Sequence, residues 1–153
     1  MGIASVIQNS AKADLLRAGT NFNTSGGTPA GHAFKIALYT NSTTIDTTTT
    51  AYGGPSNEVS GTGYSSGGNA LTNTGVGTTT VTSFTDFSDT SWTSASFTAR
   101  GCLIYNTAVI SGLTNDRAVC SITFGGDKTV SSGTFTIQFP TNDSSSAIIR
   151  ITS

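Results

Sequence analysis

RAVCSITFGGDKTVSSGTFTIQF, running from Arg117 to Phe139, is the stretch on which the fold turns. In its first part Ala118, Cys120, Ile122 and Phe124 fall on one side of an extended chain, with Val119, Ser121 and Thr123 on the other. In its last part Phe135, Ile137 and Phe139 alternate with Thr134, Thr136 and Gln138. A period of two belongs to strands that bury one face. Between them Gly125–Lys128 (GGDK) carries turn residues, so the stretch predicts two strands joined by a reversal.

The same period recurs outward from this segment. In AFKIALYT (33–40), Phe34, Ile36 and Leu38 share a face opposite Lys35, Ala37 and Tyr39. Residues 76–87 (VGTTTVTSFTDF) and 96–106 (SFTARGCLIYN) are further strand candidates, and AIIRIT (147–152) sets Ala147, Ile149 and Ile151 on one side. Short strands separated by Gly, Ser, Asn and Asp predict a mainly β domain, an antiparallel sandwich or barrel. No fixed repeat appears, so a solenoid or propeller is excluded. Thr43–Thr50 (TTIDTTTT), flanked by strand signals, reads as a long ordered or semi-ordered loop.

One helix is expected, over residues 1–18, where Ile3, Val6, Ile7, Ala11, Leu15 and Ala18 recur at helical spacing and Gly19 follows as a stop. A Gly/Thr/Asn-rich connector, Gly19–Gly31, sets this helix apart and reads as flexible. The expected division is a helical arm and connector, 1–31, and a β domain, 32–153. The apolar face of Ile3, Val6, Ile7, Ala11 and Leu15 has two destinations, the parent domain or a neighbouring subunit, and the second would make these residues an interface.

At 153 residues the chain fits one domain large enough to bury a core unaided. Charged residues are 10% of it, with a formal net charge of −1. Nucleic-acid binding needs clustered Lys and Arg, and here the basic residues are scattered. Such a chain is not kept from neighbours by repulsion, which suits a protein that works packed against others. No run approaches the roughly 18 apolar residues of a membrane span. Residues 1–18 lack a secretory leader's basic start and apolar run, so use without secretion is expected. Cys102 and Cys120 are spaced wrongly for zinc and read as buried thiols on strands.

Candidate chemistry is sparse. NEVSGTGYSSGG (57–68) has glycines at 61, 63 and 67, one place out of register for a dinucleotide loop, and no helix pattern follows. Its Glu58 is the only glutamate in the chain and reads as an exposed carboxylate or a cap on backbone N–H groups. His32, the only histidine, has no nucleophile elbow to serve. Asp86 and Asp89 in TDFSDTSW are the nearest acid pair, but they look like turn caps rather than glycosidase carboxylates or calcium ligands. Trp92 fits a core position beside Phe97 better than a sugar platform. No catalytic, metal or cofactor site is expected.

Six stretches in order, KIALYT (35–40), NEVSGTGY (57–64), FTARGCLIYN (97–106), FGGDKT (124–129), GTFTIQFP (133–140) and AIIRI (147–151), resemble those of small structural proteins of tailed-bacteriophage virions. The likeness is greatest to capsid decoration, or cement, proteins and covers the chain from about Lys35 to Ile151. It implies a non-enzymatic protein on the capsid surface of the virion, assembled in the bacterial host cytoplasm and bound to the major capsid protein. It would act as an oligomer, most simply a trimer; the helix of residues 1–18 and the connector lie outside the likeness and are the arm expected to grip a neighbour. Related modules with an ALYT start and an E-V-S-G-x-G-Y turn look like phage tail and fibre parts. They imply the alternative of a host-surface binder with Tyr52, Tyr64 or Trp92 at an exposed glycan site.

Overall fold

The computed structural model describes residues 2–153. Its elements are β1 (Val6–Ile7), α1 (Asn9–Leu16), β2 (Phe34–Tyr39), β3 (Asn69–Leu71), β4 (Asn73–Thr78), β5 (Thr82–Phe87), β6 (Thr90–Asn106), β7 (Arg117–Ile137) and β8 (Ile149–Thr152). They form a five-stranded sheet, β1-β7-β6-β2-β3, and a three-stranded sheet, β4-β5-β8. Every strand pairing is antiparallel, and the whole is a mainly β, sandwich-like fold.

The deciding stretch holds a surprise. Arg117–Ile137 is one strand of 21 residues, not two strands around a reversal. Gly101 pairs with Thr123 and Ala99 with Lys128, so residues 124–127 stand opposite Arg100 alone. GGDK lies in a large bulge, with Gly125 at φ +73°. The Arg100 guanidinium donates to Asp127 at 3.2 Å, as does the side-chain amide of Asn41, which holds the bulge beside the strand. Glycine and aspartate supplied the turn signal. The chain continues forward because β6, a single strand of 17 residues, pairs with it on both sides of the bulge.

A second difference lies at 76–87. The segment forms a hairpin, β4 to β5, whose turn at residues 79–81 contains no Gly, Asn or Pro. Thr79 closes the turn by donating its N–H to Thr82 O at 2.8 Å, while its hydroxyl accepts from Thr82 N–H at 3.2 Å. A hydroxyl stands in for the usual turn residues.

The apolar face of β2 behaves as its period predicts. Phe34, Ile36 and Leu38 join Phe87 of β5 and Ile149 of β8 in the main core. The opposite face is buried as well: Ala37 and Tyr39 are fully covered and pack with Ile3, Ile45, Leu103 and Tyr105 in a second core. The cover comes from residues expected to be an arm and a loop. Ala4 N–H donates to Ile45 O at 2.9 Å and Ile45 N–H to Gly2 O at 3.0 Å, which lays the N-terminus along the 43–50 segment over the sheet. A fully buried Ile or Leu contributes about 1.5–3 kcal/mol, enough to organise an irregular layer.

The helix expected over 1–18 is therefore shorter. Val6 and Ile7 are extended and pair with Ser121 and Cys120, and only Asn9–Leu16 is helical. β-Branched Val and Ile gain more from the free edge of β7 than from a first helical turn. Gln8 then turns the chain: its N–H donates to Val119 O at 3.1 Å and its buried side-chain amide to Ser121 Oγ at 2.9 Å.

The division at residue 31 also changes. Asp14, 1% exposed, forms a two-pronged ion pair with Arg117 of β7, 7% exposed. Phe22, in the connector, stacks on Phe34 with ring centres 5.0 Å apart. Residues 2–22 are built into the β domain rather than hung from it. Burial of a hydrogen-bonded ion pair and a stacked ring outweighs the freedom that the Gly/Thr/Asn composition suggested.

Candidate functional site

NEVSGTGYSSGG packs along the upper half of the large sheet. Val59 N–H donates to Leu38 O at 2.8 Å, and Thr62 bridges Ser96 of β6. The loop thus edges β6 where β2 no longer reaches. At its end Gly68 presses onto β2: a Cβ there would sit 1.8 Å from Ile36 O, and its φ of +65° suits glycine.

Glu58 is the centre of this loop. Its Oε1 accepts from Tyr64 OH and from Gly67 N–H, each at 2.7 Å. Its Oε2 accepts from Tyr52 OH at 2.6 Å and Ser66 Oγ at 2.9 Å. The tyrosines are themselves anchored. Tyr64 OH accepts from Leu38 N–H at 2.9 Å, and Tyr52 stacks on Tyr105 at 4.6 Å. Tyr105 OH donates to Gly67 O at 2.8 Å, which closes the ring of contacts.

The electrostatics follow from the geometry. Partial burial pushes the Glu58 carboxyl up, but donation from Tyr52, Tyr64, Gly67 and Ser66 outweighs it, and the net shift is down. Burial, aided by the neighbouring carboxylate, raises the Tyr64 and Tyr52 hydroxyls, which stay protonated and keep donating. A carboxylate with four donors has little basicity to offer a substrate and few lone pairs for a cation. What the arrangement can do is clamp a loop. The expected backbone cap is present in Gly67 N–H; the three hydroxyl donors were missed. Tyr64 and Ser66 stand within eight residues of Glu58, yet only the folded loop turns them inward.

The other candidates are also engaged in the fold. His32 Nδ1 lies 2.9 Å from the Asn106 side-chain amide and accepts from Asn21 N–H at 3.4 Å. Asp86 is fully buried; burial raises its carboxyl, opposed by donation from Phe87 N–H at 2.8 Å and Ile148 N–H at 3.1 Å. Asp89 accepts from Phe139 N–H at 2.8 Å, so the two aspartates tie distant backbone segments together rather than capping a local turn. Trp92 is 3% exposed and packs edge-on against Phe97 and Phe135. Cys102 and Cys120 are free, buried thiols, and burial pushes Cys102 up to about 12. Among the described residues no group of three or more His, Cys, Asp or Glu side chains is placed to hold a metal, and no helix is long and apolar enough to cross a membrane.

The five residues considered for an intermolecular interface lie against the parent domain. Ile3 and Ala11 are buried, Val6 sits in the β1–β7 pairing, and Ile7 and Leu15 pack on the main core. The sequence carried no sign of the Asp14–Arg117 pair, whose members are 103 positions apart. Two open apolar grooves remain. One, of about 410 Å³, lies between the connector at Phe22 and the small sheet at Ile149 and Ile151. The other, of about 550 Å³, lies beneath the second half of β7, between Phe124, Phe135, Phe139 and Ile148.

The chain matches no model of a protein family, no curated protein and no solved structure.

Proposed function

We propose that this protein is a non-enzymatic structural component of a tailed-phage particle, a decoration protein seated on the outer surface of the head. The observation that carries the proposal is the Glu58 clamp. Glu58, the only glutamate in the chain, has its carboxylate oxygens taken up by four donors that hold a loop on the sheet. The stretches that resemble virion proteins supply β2, Glu58 and Tyr64 of the clamp, β6 from Phe97 onward, the bulge and second half of β7, and β8. They make one connected scaffold with a weakly charged surface, suited to lying against neighbouring subunits.

Binding across several shell subunits would hold the shell in its bound geometry by mass action. The gripping surface in this proposal is the exterior of the β domain rather than the expected arm, whose described residues 2–18 pack on the domain itself. Truncation of the N-terminus is consequently a poor test, because it uncovers Tyr39 and leaves Arg117 without Asp14. The test is addition of the intact protein to phage heads that lack it, followed by electron microscopy. Density at repeated positions on the shell is the expected result. Density confined to the tail, or adsorption to host cells instead of heads, would replace the proposal with the tail or fibre alternative. That alternative loses one of its platforms in the buried Trp92.

A further inference from the structure

Beyond Thr123 the outer side of β7 has no neighbouring strand. β1 covers only Cys120 and Ser121, and Thr123 N–H is taken by Ser5 Oγ at 3.0 Å. From Gly133 to Ile137 (GTFTI) β7 pairs with β6 alone, between the irregularity at Ser132 and Pro140. A row of unpaired backbone N–H and C=O groups is complementary to another extended backbone, and natural edges are usually blunted by charge, proline or a bulge. This five-residue stretch carries neither charge nor proline, and the bulge in its pairing with β6, between Trp92 and Ala95, places the extra residue on β6, away from the free edge.

We propose that Gly133–Ile137 is a self-association edge, pairing antiparallel with the same segment of a second copy about a two-fold axis near Phe135. Three observations select a second copy. The segment is uncharged and the net charge is −1, so two copies meet without like charges opposed. A two-fold axis perpendicular to the sheet carries each face onto itself. The exposed hydroxyls of Thr134 and Thr136 therefore continue one polar face, each Thr134 opposite Thr136 of the second copy. On the other face Phe135, half-buried on the rim of the 550 Å³ groove, meets its own counterpart, and the two grooves join into one covered apolar space. A pairing of identical edges yields a dimer; the trimer expected from resemblance would need a different contact. The inference stands apart from any role on a phage particle.

The test is sedimentation equilibrium of the full chain with three sequences. Wild type should approach dimer mass with a Kd below about 100 µM, Thr134→Lys should weaken association at least ~10-fold by setting charge on the edge, and Thr93→Lys, the same charge on exposed β6, should change it less than ~2-fold. Hydrogen exchange on the wild type gives an independent readout. Outward amides of 133–137 should gain protection as concentration rises. A monomer throughout that range, equal effects of the two lysines, a trimer indifferent to Thr134→Lys, or concentration-independent exchange at 133–137 would each overturn the proposal.

Discussion

Between Arg117 and Thr123, β7 is an interior strand: β1 flanks it at Cys120 and Ser121, β6 lies on the other side, and Ala118 and Val119 are buried on opposite faces. Between Lys128 and Ile137 the same strand has one neighbour, a hydroxyl-bearing exposed face and a groove beneath it. Both halves alternate equally well in sequence. Alternation reports which side of a strand meets apolar matter; it says nothing of how many strands lie beside it. The neighbours differ because β1 docks on one half alone, while residues 2–4 lie along the 43–50 segment.

The largest expected effect breaks the interior half. Arg117→Ala leaves Asp14 buried without its partner and should cost about 3–5 kcal/mol, read from the urea midpoint. A loss under about 1 kcal/mol would mean the N-terminal segment is not locked to β7.

A second substitution separates the halves. The ribbon of Thr90–Ala99 with Lys128–Ile137 is edged on the β6 side by the Glu58 loop, and an isolated two-stranded ribbon is marginal in water. Glu58→Ala strands several donors and should cost about 2–3 kcal/mol. Hydrogen exchange should speed up at 90–99 and 128–137 before it does at 117–123. The carboxyl of Glu58 lies below its ordinary value of 4.5 when folded, so its stabilisation is complete above that value and drains away as pH falls through the folded value. Asp86 runs the other way: its carboxyl is raised by burial, so its contribution declines as pH rises from 3.8 toward the folded value. Wild type should lose the acid-side slope assigned to Glu58 when that residue becomes Ala; an unchanged pH profile would remove it as the clamp.

The smallest effect contrasts two glycines. At Gly101, opposite the interior half, a Cβ would lie 2.6 Å from Ile122 O and 2.9 Å from Ile3 Cδ1. At Gly125, in the bulge, it would meet nothing within 4 Å and pay only for the positive φ. Gly125→Ala should lower stability by about 1 kcal/mol, and Gly101→Ala by clearly more, in thermal melts. Equal losses would erase the distinction between the halves.

The apolar periods of β2 and of the second half of β7 were legible in the residues, and with them the antiparallel β class; Ile151, expected to share a side with buried Ile149, is exposed, and Ala118 joins the second core while Cys120 joins the main one. The burial of both cysteines followed from residue type and setting. The turn at GGDK and the single strand over 76–87 were misread for one reason. Whether a Gly-Asp pair reverses a strand or bulges it depends on the length of the partner beside it, and three residues of Thr and Val close a hairpin once their strands are paired elsewhere.

What the sequence by itself determined is local: which positions face apolar matter, and which backbone conformations its glycines permit. Tertiary structure alone decided who the neighbours are. It drew Ile3 and Ile45 over Tyr39, brought Asp14 to Arg117 across 103 positions, and turned three hydroxyls and an N–H onto Glu58. Periodicity is a property of successive residues, whereas an ion pair, a second core and a clamp exist only when distant segments exclude water together.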